Sequence, residues 1–506
     1  MIPMDAHSRN PRHLALWFGL ALGLILGLGS GLAWMLARAR RPVRILLVTP
    51  PQDPGSGLDA SQCRAIGALV EDHLECDGGF AVTAVTEVPE DLGPFLARPH
   101  SRMLVLEPRR QGEALVLSFR SVARGQIHLG SPIPWTRSEA QPLPPVQALQ
   151  AFDREMALSP KGQAGYLTPR DPARFWALIQ ATALRLQNTH LDEAIDLAKT
   201  LTAGEPECAT GWVLLGNLQY RRFLNHPAAF RHEEADARAL LRRGVGLAPD
   251  HPRGTFLLSL MLSDSGNQRG ALDLLVQARR TQPYNPTLLT GLAYAARGAG
   301  LLPLARRAMD RRDSLAFSEY LPQAVDITCL YTGEIPRFEA SLQERPGHLR
   351  NRTGVIPFYR GYLALIRGDR IKAHKAFTEA QQSPHGYPNI VRLSEIFNLI
   401  LDGHKEEAWT ALRDFDQDRA GMREPDGEFT LRLAEAYALL GDRDSAMEMA
   451  ARAFARGFGC TAWYERSPLL EPLRGLPRWE ALMQHLQERQ SLMEQAFPAS
   501  LVEEPN

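Results

Sequence analysis

An alanine recurs through most of this chain, at Ala194, Ala237, Ala271, Ala305, Ala340, Ala373, Ala408 and Ala446, in steps of 43, 34, 34, 35, 33, 35 and 38 residues. In most units a glycine stands about five residues earlier, at Gly266, Gly300, Gly368, Gly403 and Gly441. Several units carry a second small residue seven places later, at Ala278, Ala380 and Ala453. A period of about 34 residues built on small side chains predicts paired helices stacked into a solenoid. Small residues let two helices cross closely, and a glycine just past a helix takes the left-handed conformation that ends it. Each pair has an apolar side that only a neighbouring pair can cover. Such a fold presents a surface, so the functional question becomes which partner rather than which reaction.

Composition narrows the partner. Lysine plus arginine number 57 and aspartate plus glutamate 57, so no global field recruits nucleic acid. Five cysteines are too few and too scattered for a disulfide scaffold or a zinc site. Cys63 and Cys76, on one helix, would stand roughly 20 Å apart. Cys208, Cys329 and Cys460 are expected to be small buried fillers.

Residues 14–37, LALWFGLALGLILGLGSGLAWMLA, contain no charge and are long enough to cross a bilayer. Trp17 and Trp34 stand near the ends, as interfacial anchors do. The run is longer than a signal-peptide core and no A-x-A site follows before Arg38, which predicts an uncleaved anchor after a tail of residues 1–13. Gly19, Gly23, Gly27 and Gly31 fall on one face and predict close packing against another helix, including a second copy of this chain. Arg38, Arg40, Arg41 and Arg44 outnumber Arg9 and Arg12, which by charge alone keeps the following portion cytoplasmic.

Arg44 to Thr49 reads as a strand ended by Pro50-Pro51. Asp59 or Ser61 could cap a helix reaching about Glu75, with Ile66, Leu69, Val70 and Leu74 on one face. Phe80 to Val85 reads as a second strand, and Met103 to Glu107 with Ala114 to Val122 as a hairpin. The expected α/β domain covers 43–124, and the proline-rich stretch 125–172 reads as a covering segment and joint with one short helix over 146–157. The strand RILLVTP, its following helix and the hairpin RMLVLEPRRQGEALVLSFRSV resemble the TolB-like domain that precedes tetratricopeptide repeats in many bacterial membrane proteins, over 43–136. The aromatic and asparagine that usually follow the first strand's proline are replaced here by Pro51, Gln52 and Asp53.

Residues 173–456 resemble the tetratricopeptide family. The clearest unit runs from Pro252 to Asn285, with Leu258, Ser259, Leu262, Gly266, Ala271, Leu275, Ala278 and Pro283 at the pattern places. A second begins at Ala209, with Trp212, Leu215 and Gly216, and carries an insertion around 221–232. The unit near 320–352 is degenerate. Residues 457–496 resemble the capping segment that often closes such arrays, and 497–506 read as a disordered tail. The expected fold is therefore mainly α: a transmembrane helix, a small α/β domain, and a right-handed solenoid of about eight helix pairs.

The family resemblance implies a concave face lined by first helices that takes a protein or peptide segment. By register this points to Asn217, Tyr220, Arg221, Phe256, Tyr294, Arg297 and Tyr362, residue types that anchor interfaces. The lysine of the family's carboxylate clamp is replaced by Val213. No P-loop or GxSxG elbow occurs. The nearest approach to a zinc motif, His232-Glu-Glu-Ala-Asp236, reads as acidic residues at a helix start. No catalytic residue, metal or cofactor is expected. The resulting reading is a single-pass inner-membrane scaffold, adaptor or assembly factor, with the lipid bilayer and a protein as partners and the solenoid in the periplasm, as the architectural resemblance implies. The alternative is the sensory half of a signalling system acting through a separate effector; the 13 residues before the membrane helix are too few for a DNA-binding module.

Overall fold

The computed structural model describes residues 42–49, 57–76, 79–85, 92–98, 100–111, 114–123, 126–129, 133–136, 168–187, 190–226, 229–316, 326–343, 354–383, 386–420, 422 and 426–503. The expected membrane helix with its glycine face and preceding tail, and the short helix over 146–157, lie outside these residues. Among the described residues no helix is long and apolar enough to cross a membrane. The described chain is mainly helical, with 20 α-helices and one small sheet.

The sheet is built from β1 (Val43–Val48), β2 (Phe80–Val85), β3 (Ser101–Gln111) and β4 (Ala114–Ala123). α1 (Ala60–Glu75) lies between β1 and β2, and the one-turn α2 (Gly93–Leu96) between β2 and β3. β1 pairs in parallel with both β2 and β3, and β3 with β4 forms the expected antiparallel hairpin. Alternation along β1 divides the core: Ile45 and Leu47 pack toward α1, while Leu46 and Val48 meet Phe95, Met103 and Val105. Asp59 caps α1 in a reciprocal box with Gln62. The proline-rich segment departs from expectation, because β5 (Gln126–Leu129) and β6 (Ile133–Thr136) both join the sheet. They share the free edge of β4, β5 against residues 120–123 and β6 against 114–117. Pro134 is tolerated there because β6 pairs on one side only.

Eight helix pairs follow. They are α3 (Pro172–Gln187) with α4 (Leu191–Gly204), α5 (Ala209–Asn225) with α6 (Glu233–Leu247), α7 (Pro252–Asp264) with α8 (Gln268–Thr281), and α9 (Pro286–Gly298) with α10 (Leu302–Leu315). The shortest pair is α11 (Ile327–Thr332) with α12 (Ile335–Ser341). Then come α13 (Val355–Ile366) with α14 (Arg370–Gln381), α15 (Pro388–Asp402) with α16 (Lys405–Ala420), and α17 (Gly427–Leu440) with α18 (Arg443–Ala455). Asn267, Asp369 and Asp442 cap second helices through their side chains. The rhythmic glycines close first helices with positive φ, and Gly333 joins them.

Seven of the eight recurrent alanines are sealed from solvent, but Ala340 is exposed. Its place at the helix crossing is taken by the fully buried Phe338, five residues after Gly333 as Ala271 is after Gly266. The short α12 has room for a large ring where the longer helices admit only a methyl group.

The array does not end freely. α19 (Thr461–Arg466), a 3-10 turn (Pro468–Leu473) and α20 (Pro477–Ala496) follow the eighth pair. Trp479, Leu482, Met483 and Leu486 of α20 belong to the core of the C-terminal pairs. Further on, Met493, Phe497 and Val502 pack into the cluster made by α8, α9 and α10. Within the stretch 497–506 expected to be disordered, Ala499–Val502 form a 3-10 turn, held by Arg279, which donates to the Leu501 carbonyl at 2.8 Å; 504–506 lie outside the described residues.

Candidate functional site

First helices meet one another along one face of the array, and four of the residues expected on a binding groove, Tyr220, Tyr294, Arg297 and Tyr362, are drawn into polar contacts there. Tyr220 of α5 and Tyr294 of α9 both donate their hydroxyls to Asp264 at the end of α7, at 3.2 and 2.6 Å. Arg297, one turn beyond Tyr294, stacks 4.8 Å from its ring and donates to Glu428 of α17 at 2.9 Å. α17 therefore reaches across from the eighth pair to the fourth. Its entry is fixed by Asp426, at φ 51°, whose backbone N–H donates to the Asp264 carbonyl at 3.0 Å. Gly427 is packed so tightly that a Cβ would stand 2.8 Å from the Ala453 carbonyl oxygen.

At the centre of this face lies Arg432, 2% exposed, beside the fully buried Glu435. The Arg432 guanidinium donates to Tyr362, to Tyr331 at 2.6 Å and to Glu435 at 2.9 Å, and sits 4.2 Å from the Tyr362 ring. The Tyr362 and Tyr331 hydroxyls in turn donate to Glu435 and Glu428. Trp463 and Ser467 donate to the other Glu435 oxygen, so both of its oxygens are fully engaged. Burial raises the hydroxyl pKa of Tyr362 and Tyr331 well above the ordinary value, which keeps both as donors. Burial alone would raise Glu428 too, but Arg297 and Arg432 outweigh it and hold this carboxylate below its usual range.

The expected groove residues therefore separate. Tyr362 is fully buried and Arg297 nearly so, which removes them from any surface, because α17 of the same chain covers them. Tyr294 belongs to the same network. Asn217 is also buried, but at a different place, in a cavity under α1 of the α/β unit. Tyr220 is 8% exposed. Arg221 and Phe256 are partly buried and keep some surface open. Register alone could not foresee a distant helix lying over the face. One signal was available: Arg432 and Glu435 interrupt the otherwise apolar and alanine-rich run of α17 three residues apart, which places both charges inside the core.

The α/β unit is fastened by a second polar cluster. Arg253 at the start of α7 donates to both oxygens of Asp72 on α1, at 2.8 and 3.0 Å, and lies 3.5 Å from Glu71. Thr287 of α9 donates to Glu75 at 3.3 Å. Burial pushes Glu71 up to about 7 against the pull of Arg253, and raises Glu75 well above the usual carboxylate range. His251 beneath is fully buried; its Nδ1 accepts from the Gly254 amide, so Nε2 carries the proton toward Thr210 at 3.2 Å.

The His232 segment opens α6 as expected: Glu233 pairs with Arg222 at 2.9 Å. No cluster suited to a metal ion occurs among the described residues, and none of the five cysteines forms a disulfide. No protein-family model matches the chain, and no curated protein matches it.

Proposed function

We propose that this chain is a membrane-anchored tetratricopeptide-type protein that binds another protein, acting as a scaffold, adaptor or assembly factor at the bacterial inner membrane. The observation that carries the reading is the eightfold repetition of helix pairs, with a left-handed glycine and a buried small residue at a constant offset in most of them. Arrays of this kind act through the surface they present. The 14–37 segment supplies the bilayer anchor in this reading, with its glycine face toward a second copy, the TolB-like unit next to it, and the right-handed solenoid beyond, in the periplasm.

In this reading the partner-binding residues are Arg221 and Phe256, which keep part of their surface open; Tyr362 and Arg297 are buried, and the Tyr294 hydroxyl is held by Asp264. Arg221 also donates to the Arg185 carbonyl at 3.4 Å. An aromatic and an arginine on adjacent first helices make a compact anchor pair. A photo-crosslinking residue placed at Phe256 in cells is expected to capture a defined protein whose yield falls several-fold in the Arg221→Ala background. Capture that is unchanged by Arg221→Ala, or equal from the exposed Arg231 position, overturns this surface. A C-terminal reporter active only in the cytoplasm overturns the periplasmic placement.

A further inference from the structure

Glu75 ends α1 where that helix meets the fourth helix pair, and it is 2% exposed. The one hydrogen bond to its carboxyl group among the described residues comes from the Thr287 hydroxyl of α9, at 3.3 Å, and no cation there stands within ion-pair distance. Glu71 and Asp72, one turn back on α1, are carboxylates themselves, and Arg253 of α7 is bonded to Asp72. Arg185 of α3 and His251 of α7 lie in the field of that same Asp72. β2 carries no charged residue, and α9 only Arg297, which is bonded to Glu428. A lone hydroxyl compensates a buried carboxylate poorly, but it suits the neutral acid, which can donate as well as accept. Burial, with Glu71 and Asp72 adding to it, holds the Glu75 pKa well above the ordinary carboxylate range against the pull of Arg253 and Thr287. The end of α1 is also thinly packed. Ile66, Leu69, Val70 and Leu74 are anchored in the core shared with α3, α4 and α5, whereas Cys76 rests against a small cluster of Ala209, Ala248 and Leu247.

We propose that the end of α1 is a pH-operated latch: with its proton Glu75 lies against Thr287 and closes α1 on α9, and on losing it Glu75 turns to solvent and carries Cys76 off the Ala209–Ala248 surface. The rest of the α/β unit stays docked through its apolar core. In the open form Glu75 titrates as an ordinary carboxylate. Between that value and the closed one, the opening constant rises about tenfold per pH unit. The latch is therefore shut in acid and opens toward neutral and alkaline pH, a local charge event acting on one element.

Alkylation of Cys76 in the full-length chain, read by mass spectrometry, is the test. Each rate is divided by that of Glu75→Gln at the same pH, which cancels the thiol's own ionisation. The ratio is expected to rise at least about tenfold from about pH 6 to about pH 8. Glu75→Met, neutral and of similar length, should follow Glu75→Gln at every pH, so the reading does not hang on one substitution. Glu71→Gln should keep the rise, which assigns it to Glu75. Hydrogen exchange in α17 should stay constant over the same range, which separates the opening of a latch from unfolding. The proposal is overturned by a flat ratio in the parent, by the same rise in Glu75→Met, by loss of the rise in Glu71→Gln, or by exchange in α17 that quickens in step with Cys76.

Discussion

Arg432 donates to Glu435 across 2.9 Å, one turn along the same helix, and neither side chain reaches solvent. Buried in that way, each makes the other tolerable, and removing one leaves a bare charge. Glu435→Ala is expected to cost about 3–5 kcal/mol, and Tyr362→Phe, which deletes one hydroxyl, about 1–2 kcal/mol. Urea unfolding of the full chain measures both. Equal small losses would show that the network contributes little to holding α17 in place.

The Asp72–Arg253 pair is the charged fastening between the sheet and the helices. Arg253→Met should cost about 2 kcal/mol, since the Arg253 side chain is 27% exposed and the partner is left buried. Hydrogen exchange should quicken in α1 and stay unchanged in α17. The double variant Asp72→Leu with Arg253→Met should recover part of the loss.

Glu71 gives stability a pH dependence of defined sign. In the fold it keeps its proton up to about 7, against a usual value of 4.5. Between those values the folded chain binds more protons than the unfolded one, so stability falls as pH rises through that window. The decline should be on the order of 2 kcal/mol and should flatten in Glu71→Gln. Denaturant midpoints at pH 5, 6, 7 and 8 test it, and parallel profiles would exclude Glu71 as the source.

Gly300 and Gly441 share a backbone conformation, φ 84° and 85°, but not a neighbourhood. A Cβ on Gly300 would stand 2.3 Å from the Gly459 carbonyl oxygen, whereas one on Gly441 would meet nothing within 4 Å. Gly441→Ala should therefore cost about 1 kcal/mol, the backbone penalty alone. Gly300→Ala must also separate two loops and should cost at least about 3 kcal/mol. Similar melting temperatures for the two variants would contradict the contact.

Local periodicity made the helix pairs legible, because Gly266 to Ala271 and its equivalents repeat a short-range packing rule. The strand, helix, strand and hairpin order over residues 43–123 was legible for the same reason, each element being defined by its own alternation or cap. What escaped was non-local. Whether Tyr362 faces solvent depends on α17, some seventy residues later, and whether Asn217 does depends on α1 in another unit. β5 and β6 were hidden because prolines mark them as irregular, and only the free edge of β4 gives them a place. Ala340 misled because spacing was followed where the offset from Gly333 points to Phe338.

The last described residues close onto helices made long before them: Glu503 pairs with Arg307 at 2.7 Å, a separation of 196 residues, and Leu501 accepts from Arg279. On the ribosome the third and fourth helix pairs emerge roughly 10–40 s ahead of that tail, at ordinary rates of synthesis. For that interval the apolar side chains of Leu304, Ala308 and Met309 await a cover that does not yet exist. Nascent chains arrested near residue 456 should therefore be held by chaperones, and chains released at full length should not. Maturation of this array is a property of the finished polypeptide.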